Sequence, residues 1–168
     1  MIHTCHRIVP GPGTFFLTVR LRDADSDLLT RHIELLRLSV RLCQFRHPFV
    51  IDDAVVLPDR LHALWSLPQD DVDVASRMQL IKSTFARHLP AATHPHPRDP
   101  IWQRAFWDFP VRTLADLAEC RQMIRHAPVR AGLVTDPADW PYSTASRAGR
   151  ASTRTEKVVP FRVIDGMV

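Results

Sequence analysis

The sequence predicts an α+β domain of ferredoxin-like type, an antiparallel sheet with helices packed on it. Three observations predict it. Patterned segments run in the order strand, helix, strand, strand, helix, short strand, helix. The two middle strands meet at Pro58-Asp59, residue types that favour a tight hairpin turn. An apolar share of 45% over 168 residues, with no internal repeat, supports one domain with one substantial core.

Pro10-Gly11-Pro12-Gly13 breaks regular structure, and Thr14 to Arg20 follows as an aromatic, β-branched strand. Asp23 to Asp27 is a polar turn. Ile33, Leu36, Val40 and Cys43 recur at spacings of three and four, which predicts a helix with Thr30 as N-cap and His47-Pro48 as its end. Phe49 to Leu57 and Arg60 to Leu67 are the hairpin strands. After the acidic loop Gln69 to Asp73, Val74 to Leu89 is a second helix with Met78, Ile81 and Phe85 on one face. Pro90 to Pro100 contains four prolines and reads as a loop. It carries His94 and His96, but Pro95 between them argues against a metal pair. Ile101 to Phe109 is a short aromatic strand or extended segment. Its Trp102, Phe106 and Trp107 suit either base stacking or core packing against the third helix, with packing expected for at least two. Thr113 caps that helix, Leu114 to His126, and Pro128 and Gly132 close it. Residues 1–134 are read as the domain and 135–168 as a loosely structured C-terminal tail.

Composition narrows the class. No apolar run is long enough to span a bilayer, and Met1-Ile2-His3-Thr4-Cys5-His6-Arg7 lacks the apolar core of a signal peptide. Cys5, Cys43 and Cys120 are odd in number and contain no Cys-x-x-Cys pair, so a disulfide framework or zinc ribbon is not expected and a cytoplasmic location is. The net charge is +4, and of 22 basic side chains only Lys82 and Lys157 are lysines. Arginine forks onto phosphate and stacks on bases, which favours a nucleic-acid partner over a membrane.

The segment with most chemistry is Val55-Val56-Leu57-Pro58-Asp59-Arg60-Leu61-His62-Ala63-Leu64-Trp65. Side chains two apart on a strand share a face, so Arg60 and His62 project together. A His-x-His pair there would supply half of a divalent-metal site, but a guanidinium has no lone pair to donate.

Seven segments together resemble the REP-associated tyrosine transposases, a branch of the HUH single-strand (Y1) transposases. They are Pro10 to Phe16, Arg31-His32-Ile33, Val55 to Pro68, Leu80 to Phe85, Ile101 to Trp107, Pro128 to Val134 and Asp139-Trp140-Pro141-Tyr142-Ser143. They follow the family's order over about residues 7 to 147. The resemblance implies metal-assisted nicking and joining of single-stranded DNA at hairpins. Two strand histidines and a helix Asn or Gln hold the metal, which polarises the scissile phosphate. A helix tyrosine forms the phosphotyrosine link.

Carried onto this chain, the family's first metal histidine falls on Arg60 and its second on His62. The nucleophilic tyrosine falls on Met123 and the third ligand, one helical turn on, on Ala127. Three of these four positions have lost their chemistry. Partial substitutes are His126, beside Ala127, and Tyr142, the only tyrosine, whose hydroxyl is otherwise expected to pin the tail to the domain. The resulting expectation is a hairpin- or single-strand-binding protein, defective in nicking, with no cofactor. The alternative is an active, Mg²⁺- or Mn²⁺-dependent transposase using His126 and Tyr142. Arg60, Lys82, Arg87, Arg104, Arg125 and Arg130 are the expected DNA contacts; the oligomeric state is left open.

Overall fold

Strand β1 (Thr14–Arg20), helices α1 (Leu28–Arg31) and α2 (Ile33–Arg46), strands β2 (Val50–Val56) and β3 (Arg60–Ser66), helix α3 (Val74–His88), strand β4 (Trp107–Pro110) and helix α4 (Leu114–Arg130) follow one another in the computed structural model, which describes residues 13–93 and 99–144. The sheet order is β2-β3-β1-β4 with every neighbour antiparallel, the ferredoxin-like arrangement the patterning predicts. Pro110, which cannot donate to a ladder, ends an edge strand. No helix among the described residues is long and apolar enough to cross a membrane.

Strand alternation divides the apolar side chains between two layers. Phe15, Leu17, Val19, Leu61, Ala63 and Trp65 pack with α2 and α3. Phe16, Val55, Leu57 and Leu64 pack with Leu117, Cys120, Ile124 and Ala127 of α4 on the other face. The sheet is therefore covered by helices on both faces.

The first helix departs from expectation. Thr30 is not a cap; its hydroxyl donates to the Asp27 carbonyl at 3.1 Å inside a separate turn, α1. Fully buried Leu29 anchors that turn, with its N–H on the Pro58 carbonyl at 3.1 Å, and His32 breaks the path before α2 begins. The last helix runs on to Arg130 instead of stopping at His126. Pro128 lies in its final turn, where few intrahelical bonds remain to be lost. Leu133 N–H then bonds the Pro128 carbonyl and Gly132 N–H the Val129 carbonyl, a Schellman end with Gly132 at φ +70°. At its start, Thr113 and Asp116 form a reciprocal capping box, as the position of Thr113 predicts. The fourth strand is shorter than expected. Ile101 to Gln103 instead continue past the end of β1, with Arg22 N–H on the Ile101 carbonyl and Gln103 N–H on the Arg20 carbonyl.

Part of the expected tail is ordered. A 3-10 turn, Pro137–Asp139, leads to Trp140, whose indole N–H donates to the Val56 carbonyl at 2.8 Å. Val56 N–H donates to the Tyr142 carbonyl, and Ser143 bridges to Val55, so these residues cover the free edge of β2. They are held there because an unpaired strand edge presents backbone donors and acceptors that need partners. Residues 1–12, 94–98 and 145–168, with His94, His96 and Cys5, lie outside the described residues.

Arg77, 3% exposed, ties the start of α3 to the α2–β2 connection by donating to the Asp71 carboxylate and to the carbonyls of His47, Pro48 and Asp73. Its hydrogen bonds hold the Asp71 carboxyl below the usual carboxylate range. Arg77→Met keeps the stem but strands three carbonyls, and differential scanning calorimetry should find the unfolding midpoint lower by roughly 5–10 °C. Two glycines should rank by cause. A Cβ at Gly132 meets nothing within 4 Å, so Gly132→Ala carries backbone strain alone, about 1 kcal/mol by urea denaturation. A Cβ at Gly13 meets the Leu67 carbonyl oxygen at 2.8 Å, so Gly13→Ala should cost more.

Candidate functional site

β3 has an unbroken register with β1, so its side chains alternate strictly. Leu61, Ala63 and Trp65 point to the α2–α3 layer, which sends Arg60, His62 and Leu64 to the α4 side. On β1, Thr18 lies opposite His62 and Arg20 opposite Arg60. From α4, Ala127 is buried against Phe16, Val55, Leu57 and Leu64, and Met123 packs on the same cluster one turn earlier. The four positions that the resemblance singles out, Arg60, His62, Met123 and Ala127, thus belong to one side of the sheet.

His62 is 9% exposed. Its Nδ1 shares a 2.8 Å hydrogen bond with the Thr18 hydroxyl, and its ring stacks on Phe16 with centroids 6.0 Å apart. Burial first, then the guanidinium groups of Arg20 and Arg60, push its pKa down to about 4, against a smaller opposing pull from Asp59. The imidazole is therefore neutral at pH 7, which suits ligation. Its surroundings do not. Arg60 and Arg20 place positive charge where a cation would have to arrive, Ala127 has no donor atom, and Met123 offers only a soft thioether. Among the described residues no three His, Cys, Asp or Glu side chains are grouped to hold a metal ion. These residues do not fit the divalent metal that the resemblance implies.

The substitutes are placed differently. His126 is half-buried on α4. Tyr142 is half-buried with its ring edge-on to Trp140, centroids 5.6 Å apart. The expectation that its hydroxyl pins the tail is corrected: backbone pairing, the Trp140 indole and the Thr144 hydroxyl, which donates to Asp53 at 3.0 Å, do so.

The expected DNA contacts do not share one surface. Lys82 and Arg87 lie on α3, across the sheet from Arg60. Lys82 Nζ donates to the Gln103 carbonyl at 2.9 Å and sits 5.5 Å from the Phe106 ring centroid, and burial lowers its pKa. Arg104 is exposed in the link before β4, and Arg125 and Arg130 are exposed on α4. Among the aromatics, Trp102 is buried, with its indole N–H on the Lys82 carbonyl and its ring edge-on to Phe85, and Phe106 packs on the same layer. Two of the three do pack in the core, though against α3 and not the last helix. Trp107 is 55% exposed and stacks with Phe109 at 5.9 Å, on the His62 side of the sheet.

Sequence reasoning missed Arg20, and it named Trp107 as a stacking candidate without its pairing to Phe109 or its place beside Thr18. Both follow from register: pairing β1 against β3 at Thr18–His62 puts Arg20 opposite Arg60, and pairing β1 against β4 puts Trp107 beside Thr18. Nothing in the separate segments carries those offsets.

No protein-family model matches the chain. Individual relatives do. The chain is 38% identical over 135 residues to the REP-associated tyrosine transposase of Escherichia coli K12, covering 80% of this chain and 78% of that one. It is 32% identical over 151 residues to the putative REP-associated tyrosine transposase of Haemophilus influenzae, covering 86% of each. A solved structure of a REP-associated tyrosine transposase bound to a REP hairpin superposes with a TM-score of 0.73 at 32% identity, over 98% of this chain and 99% of that one. By these identities and coverages the chain belongs to the family of REP-associated tyrosine transposases.

Proposed function

We propose that this protein binds DNA hairpins, together with unpaired DNA at their foot, and does not nick them. The observation that carries the reading is the likeness over 98% of the chain to a relative bound to a REP hairpin. A net charge of +4, carried almost wholly by arginine, supports a phosphate-rich partner. Loss of catalysis rests on the chemistry of four positions. Transesterification needs a nucleophilic oxygen, and Met123 has none. In the chemistry the resemblance implies, a metal polarises the scissile phosphate, and His62 alone cannot hold one beside two arginines. Binding needs neither, only the packed sheet and a basic surface. We infer that the protein needs no metal cofactor and acts in the cytoplasm, where its buried Cys43 and Cys120 remain thiols.

Two measurements test this. In a gel shift, purified protein should retard a labelled hairpin oligonucleotide at low salt. Affinity should fall about tenfold or more between 50 and 200 mM salt. After incubation with Mg²⁺ or Mn²⁺, a denaturing gel should show the oligonucleotide uncut and no covalent protein–DNA adduct. An adduct would favour instead the active transposase that works through His126 and Tyr142, and Tyr142→Phe should then abolish it. No retardation at low salt removes the hairpin reading. In the second measurement, Arg60→His, Met123→Tyr and Ala127→Asn are introduced together. This variant should regain Mn²⁺-dependent adduct formation that no single substitution restores, because nucleophile and ligands act as one unit.

A further inference from the structure

Arg20 and Arg60 are a directly opposed pair on β1 and β3. Residues so opposed have Cβ atoms only about 5 Å apart, and like charges in that position destabilise a sheet. Arg60 Nε is held by Asp59 Oδ1 at 3.0 Å, which leaves the outer edge of its guanidinium without a partner among the described residues. Arg20 is exposed and forms no ion pair or side-chain hydrogen bond among them. A pair of guanidinium forks, one braced from behind, is a geometry suited to the oxygens of one phosphate. Two residues further back on the same face, Thr18 lies beside Trp107. The Trp107 ring is braced edge-on by Phe16 at 5.9 Å and stacked on Phe109, yet more than half of it remains open. Diagonal strand neighbours are about 7–8 Å apart, so Arg20 lies within one nucleotide's reach of the ring, with Arg60 one strand beyond it on the same face.

Resting on the DNA-binding reading above, we propose that Arg20 and Arg60 together bind one backbone phosphate of unpaired DNA without a metal ion, while Trp107 stacks on the neighbouring base. The site where relatives are expected to hold a cation thus becomes an anion site, and a nucleotide is held there for binding alone.

The test uses the full chain, an unstructured thymidine octanucleotide and EDTA, read by tryptophan fluorescence. Trp65 and Trp102 are buried and Trp140 half-buried, so Trp107 is the ring most open to a base. The octanucleotide should quench emission in EDTA, and adding Mg²⁺ should not tighten binding. Arg20→Met and Arg60→Met should each weaken binding about tenfold, and Trp107→Leu should remove the quench. Arg20→Lys should recover part of the loss, since it restores charge without the fork. Arg20→Met should at the same time raise the unfolding midpoint by relieving the like-charge pair; a purely structural arginine would lower it. Metal-dependent binding, wild-type affinity in both methionine variants, or a quench that survives Trp107→Leu overturns the proposal. A hairpin with no unpaired nucleotides separates the two readings. If neither it nor a hairpin with an unpaired foot binds more tightly than the octanucleotide, while the octanucleotide still quenches, the hairpin function is removed and this site is kept; hairpin binding without an octanucleotide quench removes this site alone.

Discussion

The antiparallel register between β1 and β3 is the constraint on which the rest of the site depends. It sets Thr18 against His62 and Arg20 against Arg60, and it sends all four to the face covered by α4. A slip of one residue would turn that set into the α2–α3 layer, where Phe15, Leu17, Val19, Leu61, Ala63 and Trp65 now fill the core. The register is therefore enforced by packing on both faces at once. His62 inherits its character from this placement: burial and two neighbouring guanidinium groups keep it uncharged, and the Thr18 hydroxyl fixes its ring.

Much of the fold was legible because the layers differ in pattern. Thr14 to Arg20 is an aromatic, β-branched run buried on both faces, Arg60 to Ser66 is likewise buried on both, and the three-and-four spacing of Ile33, Leu36, Val40 and Cys43 packs one helix face on the core. What failed to show were features set by tertiary partners. The break at His32 arises because Leu29 docks on the β2–β3 turn, a contact between residues far apart in the chain. The continuation of α4 through Pro128 was hidden because proline usually ends a helix; here it lies in the final turn, which the Gly132 motif completes. Trp140 to Thr144 lack periodicity, yet are ordered because β2 is an edge that offers backbone partners.

Of the candidate site, motif order located Arg60, His62, Met123 and Ala127, and the topology gathers them on one side of the sheet. The basic residues were less legible. Lys82 lies in a helical segment that resembles the family's and Arg87 just beyond it, but a segment does not reveal which face of the sheet it will cover, and α3 covers the other one. Arg20 escaped notice for the converse reason, since it lies in no polar motif, and Trp107, a stacking candidate from its residue type, could not be placed near His62 without the strand pairing.

The substitutions also differ in kind according to where they fall. Met123 and Ala127 lie on the helix face that packs against Phe16, Val55 and Leu64, and both are residues that extend an apolar layer. Arg60 lies at the start of β3, where a third of its side chain reaches solvent and Asp59 can hold its Nε. Polar catalytic groups on a packed helix face cost stability to desolvate. Apolar residues there are compatible with folding, while a cation at the open end of the strand is compatible with an anionic ligand. On the reading proposed above, the sheet loses the means of cutting DNA and keeps a surface that attracts it, because the two properties reside on opposite walls of the same face.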